Sequence, residues 1–189
     1  DMSQAGKGYI SSAIIGGIIF NAANILLVAA ISIAGMAVAF PVGIGLALVI
    51  GVIVNYLDNP VGNKGLLFGG VALIVLAIFL NANAYRKMQS GNKNTSSKGL
   101  LLSIIAGVLM GFFYKYVAAA TFPDFNVPEA GKLSPYTAVV FCSIGILRSN
   151  FLFNTLLMRR PFVGTPVTYT EYFKGGVKNH ITGMLGGGI

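Results

Sequence analysis

Charged residues are scarce in this sequence. Only 10% of its 189 residues are Asp, Glu, Lys or Arg, whereas 55% are hydrophobic. Soluble domains carry about 25% charged residues, which keep their surfaces hydrated. The mean hydropathy of +0.78 therefore excludes an ordinary soluble domain and predicts a protein that is largely embedded in lipid.

Residues that build disulfides and metal sites are nearly absent. The sequence has one cysteine, Cys142, and one histidine, His180. A chain with one cysteine cannot form an internal disulfide, and a zinc site needs three or four protein ligands. We therefore expect neither a metal site nor a cofactor.

Acidic residues are also few, since five Asp and Glu stand against 13 Lys and Arg and leave a net charge of +8. The basic residues lie between apolar segments and do not form a stripe with interleaved aromatic residues, so we expect no nucleic-acid partner. A Ser/His/Asp set and a phosphate-binding loop are both missing, because the segment SGNKNTSSK lacks the GxxxxGK[ST] pattern. We therefore do not expect an enzyme.

Long uncharged segments dominate what the sequence does contain. Residues 8–57 include no Asp, Glu, Lys, Arg or His over 50 positions, whereas one spanning helix needs about 20 residues. The pattern predicts an all-α, multi-spanning transmembrane helix bundle with five complete spans and the start of a sixth. We place the spans at about residues 9–33, 36–56, 65–85, 99–120 and 135–158, with a truncated one at 179–189.

The distribution of Lys and Arg predicts the orientation of these spans. Segments 86–98 and 159–178 together hold eight basic residues, whereas the connections on the other side hold three, Lys7, Lys64 and Lys132. Cytoplasmic loops are enriched in Lys and Arg. We therefore expect both segments to be cytoplasmic loops, and we interpret residues 1–189 as a single transmembrane domain cut from a longer multi-pass protein of the cell membrane.

Small residues recur at a spacing of four in two of the spans, an arrangement that lets membrane helices approach closely. Such smooth faces can also slide past each other during a conformational cycle. We assign helix packing to five glycines: Gly17, Gly43, Gly51, Gly107 and Gly111.

Polar side chains at membrane depth are the candidates for a solute site, because an unsatisfied polar group is costly in hydrocarbon. Asn21 and Asn24 share one face of the first span. Their carboxamides can each donate and accept hydrogen bonds with a neutral polar solute, or they can join two helices. The residues predicted to bind substrate are Asn21, Asn24, Asn55, Arg148, Asn150 and Asn154.

Arg148 is unusual because it lies about halfway along the fifth span, on a different face from Ser143, Asn150 and Asn154. It either snorkels toward the headgroups or lines the solute pathway, where its guanidinium would bind a carbonyl or anionic group. The predicted spans contain no Asp or Glu. Proton coupling, which we leave open, would need a carboxylate elsewhere, or else Lys115, His180 or a tyrosine.

Three segments carry a resemblance to a known family: GGIIFNAANILLVAAISIAGMAVAFPVGIGLALVIGVIVNY, SNFLFNTLLMRRPFVG and TEYFKGGVKNHITGMLGGGI. They resemble the ureide permease branch of the drug/metabolite transporter superfamily and its bacterial relatives, and they are similar to rhamnose and glucose uptake permeases. The resemblance covers nearly the whole chain. It implies a transporter fold of about ten spans, of which this chain would hold the third to the seventh and the start of the eighth.

The resemblance also implies a function. We expect a secondary active transporter that moves a small polar solute, such as a ureide, a nucleobase or a sugar, by alternating access through a bacterial inner membrane. Segment 86–98 is short and lacks the Walker-like segment of plant ureide permeases, which favours a bacterial relative. The alternative is a non-transporting membrane scaffold or assembly subunit, and a homodimer remains open.

Overall fold

The computed structural model describes residues 5–88, 97–122 and 129–188. Within these ranges the chain is helical, and its β-pairing is limited to one isolated bridge between Thr121 and Leu133. Five helices are long and apolar enough to cross a membrane, as the hydropathy pattern predicted. They are α1 Lys7–Ala34, α2 Met36–Asp58, α3 Lys64–Met88, α4 Ser97–Ala120 and α5 Pro135–Arg159.

The ends of these helices lie within three residues of the predicted spans. The predicted loop 86–98 is shorter than expected, because α3 continues to Met88 and α4 begins at Ser97. Its remaining residues, 89–96, lie outside the described part of the chain. Helical hydrogen bonding continues past the apolar segment, so hydropathy alone underestimates the length of these helices.

Two short helices, α6 Tyr169–Phe173 and α7 Val177–Gly188, follow α5. Helix α6 lies inside the segment that the sequence analysis treated as a loop. It begins with a capping box, in which the hydroxyl of Thr168 accepts from the backbone N–H of Glu171 and the Glu171 carboxylate accepts from the backbone N–H of Thr168. The T-x-x-E pattern at residues 168–171 is the sequence signal for this start.

The described chain divides into two compact units, one ending at Phe151 and one beginning at Leu152. The prediction of a single transmembrane domain over residues 1–189 stays a prediction. The first unit holds α1 to α4 and the first two-thirds of α5. The second holds the end of α5 together with α6 and α7.

Gly35 allows α1 and α2 to form a tight helical hairpin. Its φ of 81° lies in a region that favours glycine, and its N–H donates to the carbonyl of Ile31 at 2.9 Å. Pro41 lies in the second turn of α2 and not at its start, since the helix begins at Met36.

In the first unit, α4 packs against both α1 and α2, and α3 packs against α2. Helices α2 and α4 run in the same direction, because Gly43 lies against Ser103 and Gly107 while Ile50 lies against Gly111. Helix α3 buries none of the residues in its apolar window.

Alanine and leucine form a small core where α1 begins, α4 ends and α5 begins. Its buried members are Ala13, Ala120, Leu133 and Ala138. The backbone N–H of Gly6 donates to the carbonyl of Gly131 at 2.9 Å, which joins the segment before α1 to the segment before α5. This core fixes one end of the helix bundle.

Candidate functional site

The backbones of α2 and α4 touch at glycines. A Cβ added to Gly107 would lie 2.6 Å from the carbonyl oxygen of Gly43, and one added to Gly111 would lie 2.7 Å from Cβ of Ile50. These separations are shorter than real Cβ contacts, so neither position accepts a side chain without a shift of the helices. Gly51 differs, because a Cβ there would meet the carbonyl of Gly111 at 3.7 Å, an ordinary van der Waals distance.

Helices α1 and α5 make a second contact of this kind. A Cβ on Gly17 would collide with the carbonyl of Cys142, and one on Gly145 would collide with the carbonyl of Ile14. The two glycines therefore pack reciprocally, each against the backbone of the other helix. The sequence analysis named Gly17 and missed Gly145, although Gly145 and Ser149 have the same spacing of four.

Asn21 lies in this α1–α5 contact and is 7% exposed. Its Nδ2 donates to Oγ of Ser149 at 2.9 Å and to the carbonyl of Ile146 at 3.3 Å. The hydroxyl of Ser149 donates in turn to the Ile146 carbonyl at 3.1 Å. Asn21 therefore joins two helices. The sequence analysis left this role open beside the binding of a polar solute. Asn24, one turn further along α1, is only partly buried.

A cavity of about 530 Å³ lies between α2, α3 and α4. Its walls are mostly apolar, and its polar side chains lie toward the end of α2 and on the facing part of α4. They are Asn55, Tyr56, Asn59 and Tyr114. Charged side chains do not line it within the described residues.

Asn55 is the predicted substrate-binding residue that lines this cavity. Its Nδ2 donates to the carbonyl of Gly51, one turn earlier, at 2.6 Å. Its Oδ1 accepts no hydrogen bond from the part of the chain that the structure describes. The cavity therefore offers a solute a carboxamide acceptor in an otherwise apolar wall.

An ion pair lies next to the polar end of the cavity. Nζ of Lys115 on α4 lies 3.0 Å from Oδ1 of Asp58, the last residue of α2, and both side chains are about half exposed. The sequence analysis ended the second span at about residue 56, before Asp58. Helix α2 instead continues to Asp58 and brings a carboxylate to Lys115. Their sequence neighbours Asn59 and Tyr114 line the cavity.

The remaining predicted residues are all exposed on α5. They are Arg148, Asn150 and Asn154, with Ser143 also exposed. The predicted set therefore separates into three groups: Asn55 in the cavity, Asn21 and Asn24 on α1, and the α5 residues. The assignment of these residues to substrate binding stays a prediction.

The chain matches no protein-family model, no curated protein and no solved structure. Membership of the drug/metabolite transporter superfamily therefore stays a prediction from the quoted segments.

Proposed function

We propose that this protein is a secondary active transporter that moves a small neutral solute across the membrane by alternating access. The supporting observation is the cavity between α2, α3 and α4, which combines apolar walls with the carboxamide of Asn55. Its volume of about 530 Å³ is within the range of about 300–1,000 Å³ that is typical of small-molecule sites.

The contact between α2 and α4 supports the alternating-access part of the proposal. At Gly107 and Gly111, the side chains of Leu46 and Ile50 on α2 meet glycine and not a side chain of α4. A smooth backbone contact allows small sliding motions, whereas interdigitated side chains resist them. The cavity is lined by both helices, so sliding would change its shape and its access.

The cavity lining favours a neutral solute with few polar groups. An ion would be desolvated there without a partner, because the described lining has no charged side chain. A monosaccharide carries more hydroxyl groups than the lining has polar side chains, and each unmatched hydroxyl would lower affinity. Nucleobases are planar, carry fewer polar groups than sugars and can present amide-like edges to Asn55 and the tyrosines, so they fit this lining better than sugars do.

Membership of the drug/metabolite transporter superfamily, on the ureide permease branch, is part of the proposal. Its support is the resemblance of the three quoted segments. With it we propose a location in a bacterial inner membrane, a complete protein of about ten spans, and symport with protons or another ion as the energy source.

A non-transporting membrane scaffold is the second candidate function. The hydrogen bond from Asn21 to Ser149 favours it, because a residue predicted to bind substrate serves there to join two helices. A scaffold would have no solute in the cavity between α2, α3 and α4. Replacement of Asn55 would then alter stability alone.

Uptake into proteoliposomes separates the two candidates. Radiolabelled allantoin, uracil and glucose would be tested with the wild-type protein, with Asn55→Ala and with Ser32→Ala. Ser32 is a matched control because its hydroxyl donates within its own helix to Ala29 and lies outside the cavity. Saturable uptake that Asn55→Ala weakens and Ser32→Ala does not would support transport, and an absence of uptake of all three solutes would contradict it.

A further inference from the structure

The chain after α5 folds back against the last turns of that helix. The backbone N–H of Val167 donates to the carbonyl of Met158 at 2.9 Å, and the hydroxyl groups of Tyr169 and Thr155 are hydrogen-bonded to each other. Helix α6 therefore begins beside the end of a helix that is long and apolar enough to span the membrane. If α5 spans the membrane, we expect this position to be at the level of the lipid headgroups.

Four basic side chains are exposed in this region: Arg159, Arg160, Lys174 and Lys178. Arg159 ends α5, Lys174 follows α6, and Lys178 is in the first turn of α7. Ion pairs between these four side chains and a carboxylate do not occur within the described residues. Their charges remain available to an anionic partner.

Glu171 is the one acidic residue in this region, and its carboxylate already accepts hydrogen bonds from the protein. Its Oε2 accepts from the backbone N–H of Thr168 at 2.7 Å and from the Thr168 hydroxyl at 2.8 Å. The backbone hydrogen bond, and then the side-chain one, lower the pKa of this carboxyl group from its ordinary value. Glu171 therefore stays ionised at neutral pH, and its hydrogen bonds hold it in the cap of α6.

A cavity of about 810 Å³ lies between α6 and α7. Its lining includes Gly175 and Asn179, which adjoin Lys174 and Lys178 in sequence, together with the apolar side chains of Phe173 and Met184. It thus has both polar and apolar walls, as a site for an amphipathic molecule requires.

His180 supplies a polar atom that has no partner in this cavity. Its Nε2 is buried and makes no hydrogen bond within the part of the chain that the structure describes. The imidazole ring packs edge-on to Tyr172 at 5.2 Å, and a Cβ on Gly175 would come within 3.1 Å of Nε2. A buried nitrogen without a partner is costly, so a turn of the ring that brings Nε2 to a ligand oxygen would stabilise the side chain.

We propose that the cavity between α6 and α7 binds one anionic phospholipid of the cytoplasmic leaflet. The phosphate accepts from Nε2 of His180 and is attracted by Lys174 and Lys178, while Phe173 and Met184 contact the glycerol and upper acyl region. Basic side chains near a membrane surface favour anionic lipids, and exposed Tyr and Phe are common at that depth. Arg159 and Arg160 add to the local positive potential.

Native mass spectrometry of the purified protein with added phosphatidylglycerol or phosphatidylcholine tests this site. The wild-type protein should bind phosphatidylglycerol at least about tenfold more tightly, and the preference should fall as salt is raised. Equal binding of the two lipids, or a preference that salt does not change, would overturn the proposal. This wild-type comparison does not depend on the folding of any variant.

Two triple variants with the same loss of charge locate the effect. R160Q/K174Q/K178Q should lose most of the preference, whereas K7Q/K64Q/K132Q, which removes three cations from the other predicted side, should keep it. His180→Phe retains an aromatic ring without Nε2 and should also weaken phosphatidylglycerol binding. An equal loss of the phosphatidylglycerol preference in the two triple variants would indicate that net charge alone sets it. Full competition for lipid binding by soluble glycerol phosphate would indicate a site for free anions. Either result would overturn the lipid assignment.

Discussion

Nζ of Lys115 lies 3.0 Å from Oδ1 of Asp58, and this ion pair joins α4 to the last residue of α2. The two helices run in the same direction and touch through glycines along their length. The pair is therefore a contact between charged side chains at one end of an interface in which Gly107 and Gly111 of α4 meet Leu46 and Ile50 of α2. Its sequence neighbours Asn59 and Tyr114 line the cavity.

We predict that Asp58→Asn and Lys115→Gln each destabilise the protein slightly. Both side chains are about half exposed, so the interaction is screened and is worth less than about 1 kcal/mol. The exchange D58K/K115D should recover most of the loss. Thermal unfolding of the wild-type protein, the two single variants and the exchange variant in nanodiscs measures this. An exchange variant that is no more stable than the single variants would show that the pair does not contribute to stability.

We predict that Asn21→Ala destabilises the contact between α1 and α5. It removes a buried hydrogen bond to Ser149, and such changes cost about 1–2 kcal/mol. Because Asn21 is hydrogen-bonded within the protein, the KM of any transported solute should change little. Denaturant unfolding and uptake would be measured on the same preparations.

Ser149→Ala completes a double-mutant cycle with Asn21→Ala. A coupling energy near zero would contradict the structural role of the pair. A raised KM with unchanged stability would instead indicate that Asn21 binds the solute.

The glycine contacts predict an order of tolerance to alanine. Gly107→Ala and Gly111→Ala would each overlap α2, so we expect losses of about 1–3 kcal/mol, as for overpacked cores. Gly51→Ala should be tolerated, because its Cβ would lie 3.7 Å from the nearest atom of another helix, the carbonyl oxygen of Gly111. The melting temperatures of the three variants test this order. A fall in melting temperature for Gly51→Ala as large as that for Gly107→Ala would contradict the packing.

The charge bias predicts that the segments before and after α5 lie on opposite sides of the membrane. Single cysteines at Glu129 and Thr165, each in a Cys142→Ser background, test this with a membrane-impermeant thiol reagent on intact cells. Glu129→Cys should react from outside, and Thr165→Cys should react only after permeabilisation. The reverse pattern would invert the orientation, and labelling of both from outside would show that α5 does not cross.

The positions of the long helices were predictable from the sequence. Apolar segments of about 20 residues or more can satisfy their backbone in lipid only as helices, and α1 to α5 follow these segments closely. Helix α6 was missed because it is short and polar. Its capping pattern at Thr168 and Glu171 gave a signal that hydropathy does not measure.

The contacts between helices were much less predictable. The face that joins Asn21 to Ser149 depends on how α1 and α5 are rotated about their axes, and a single sequence gives no direct information on that rotation. Lys115 and Asp58 are 57 residues apart, so their pairing follows from the parallel packing of α2 and α4. Asn55 was selected as a polar residue at membrane depth, and its position in the cavity follows from the same packing.

The central claim is that the cavity lined by Asn55 carries a solute across the membrane, and concentration-dependent uptake into proteoliposomes tests it most directly. For the transported ureide or nucleobase, Asn55→Ala should raise KM by about tenfold, as the loss of one hydrogen bond of about 1.4 kcal/mol requires, while the melting temperature changes little. The Ser32→Ala control should match the wild-type protein in both measurements. Unchanged KM in a folded Asn55→Ala protein, or no saturable uptake by the wild-type protein, would contradict the account.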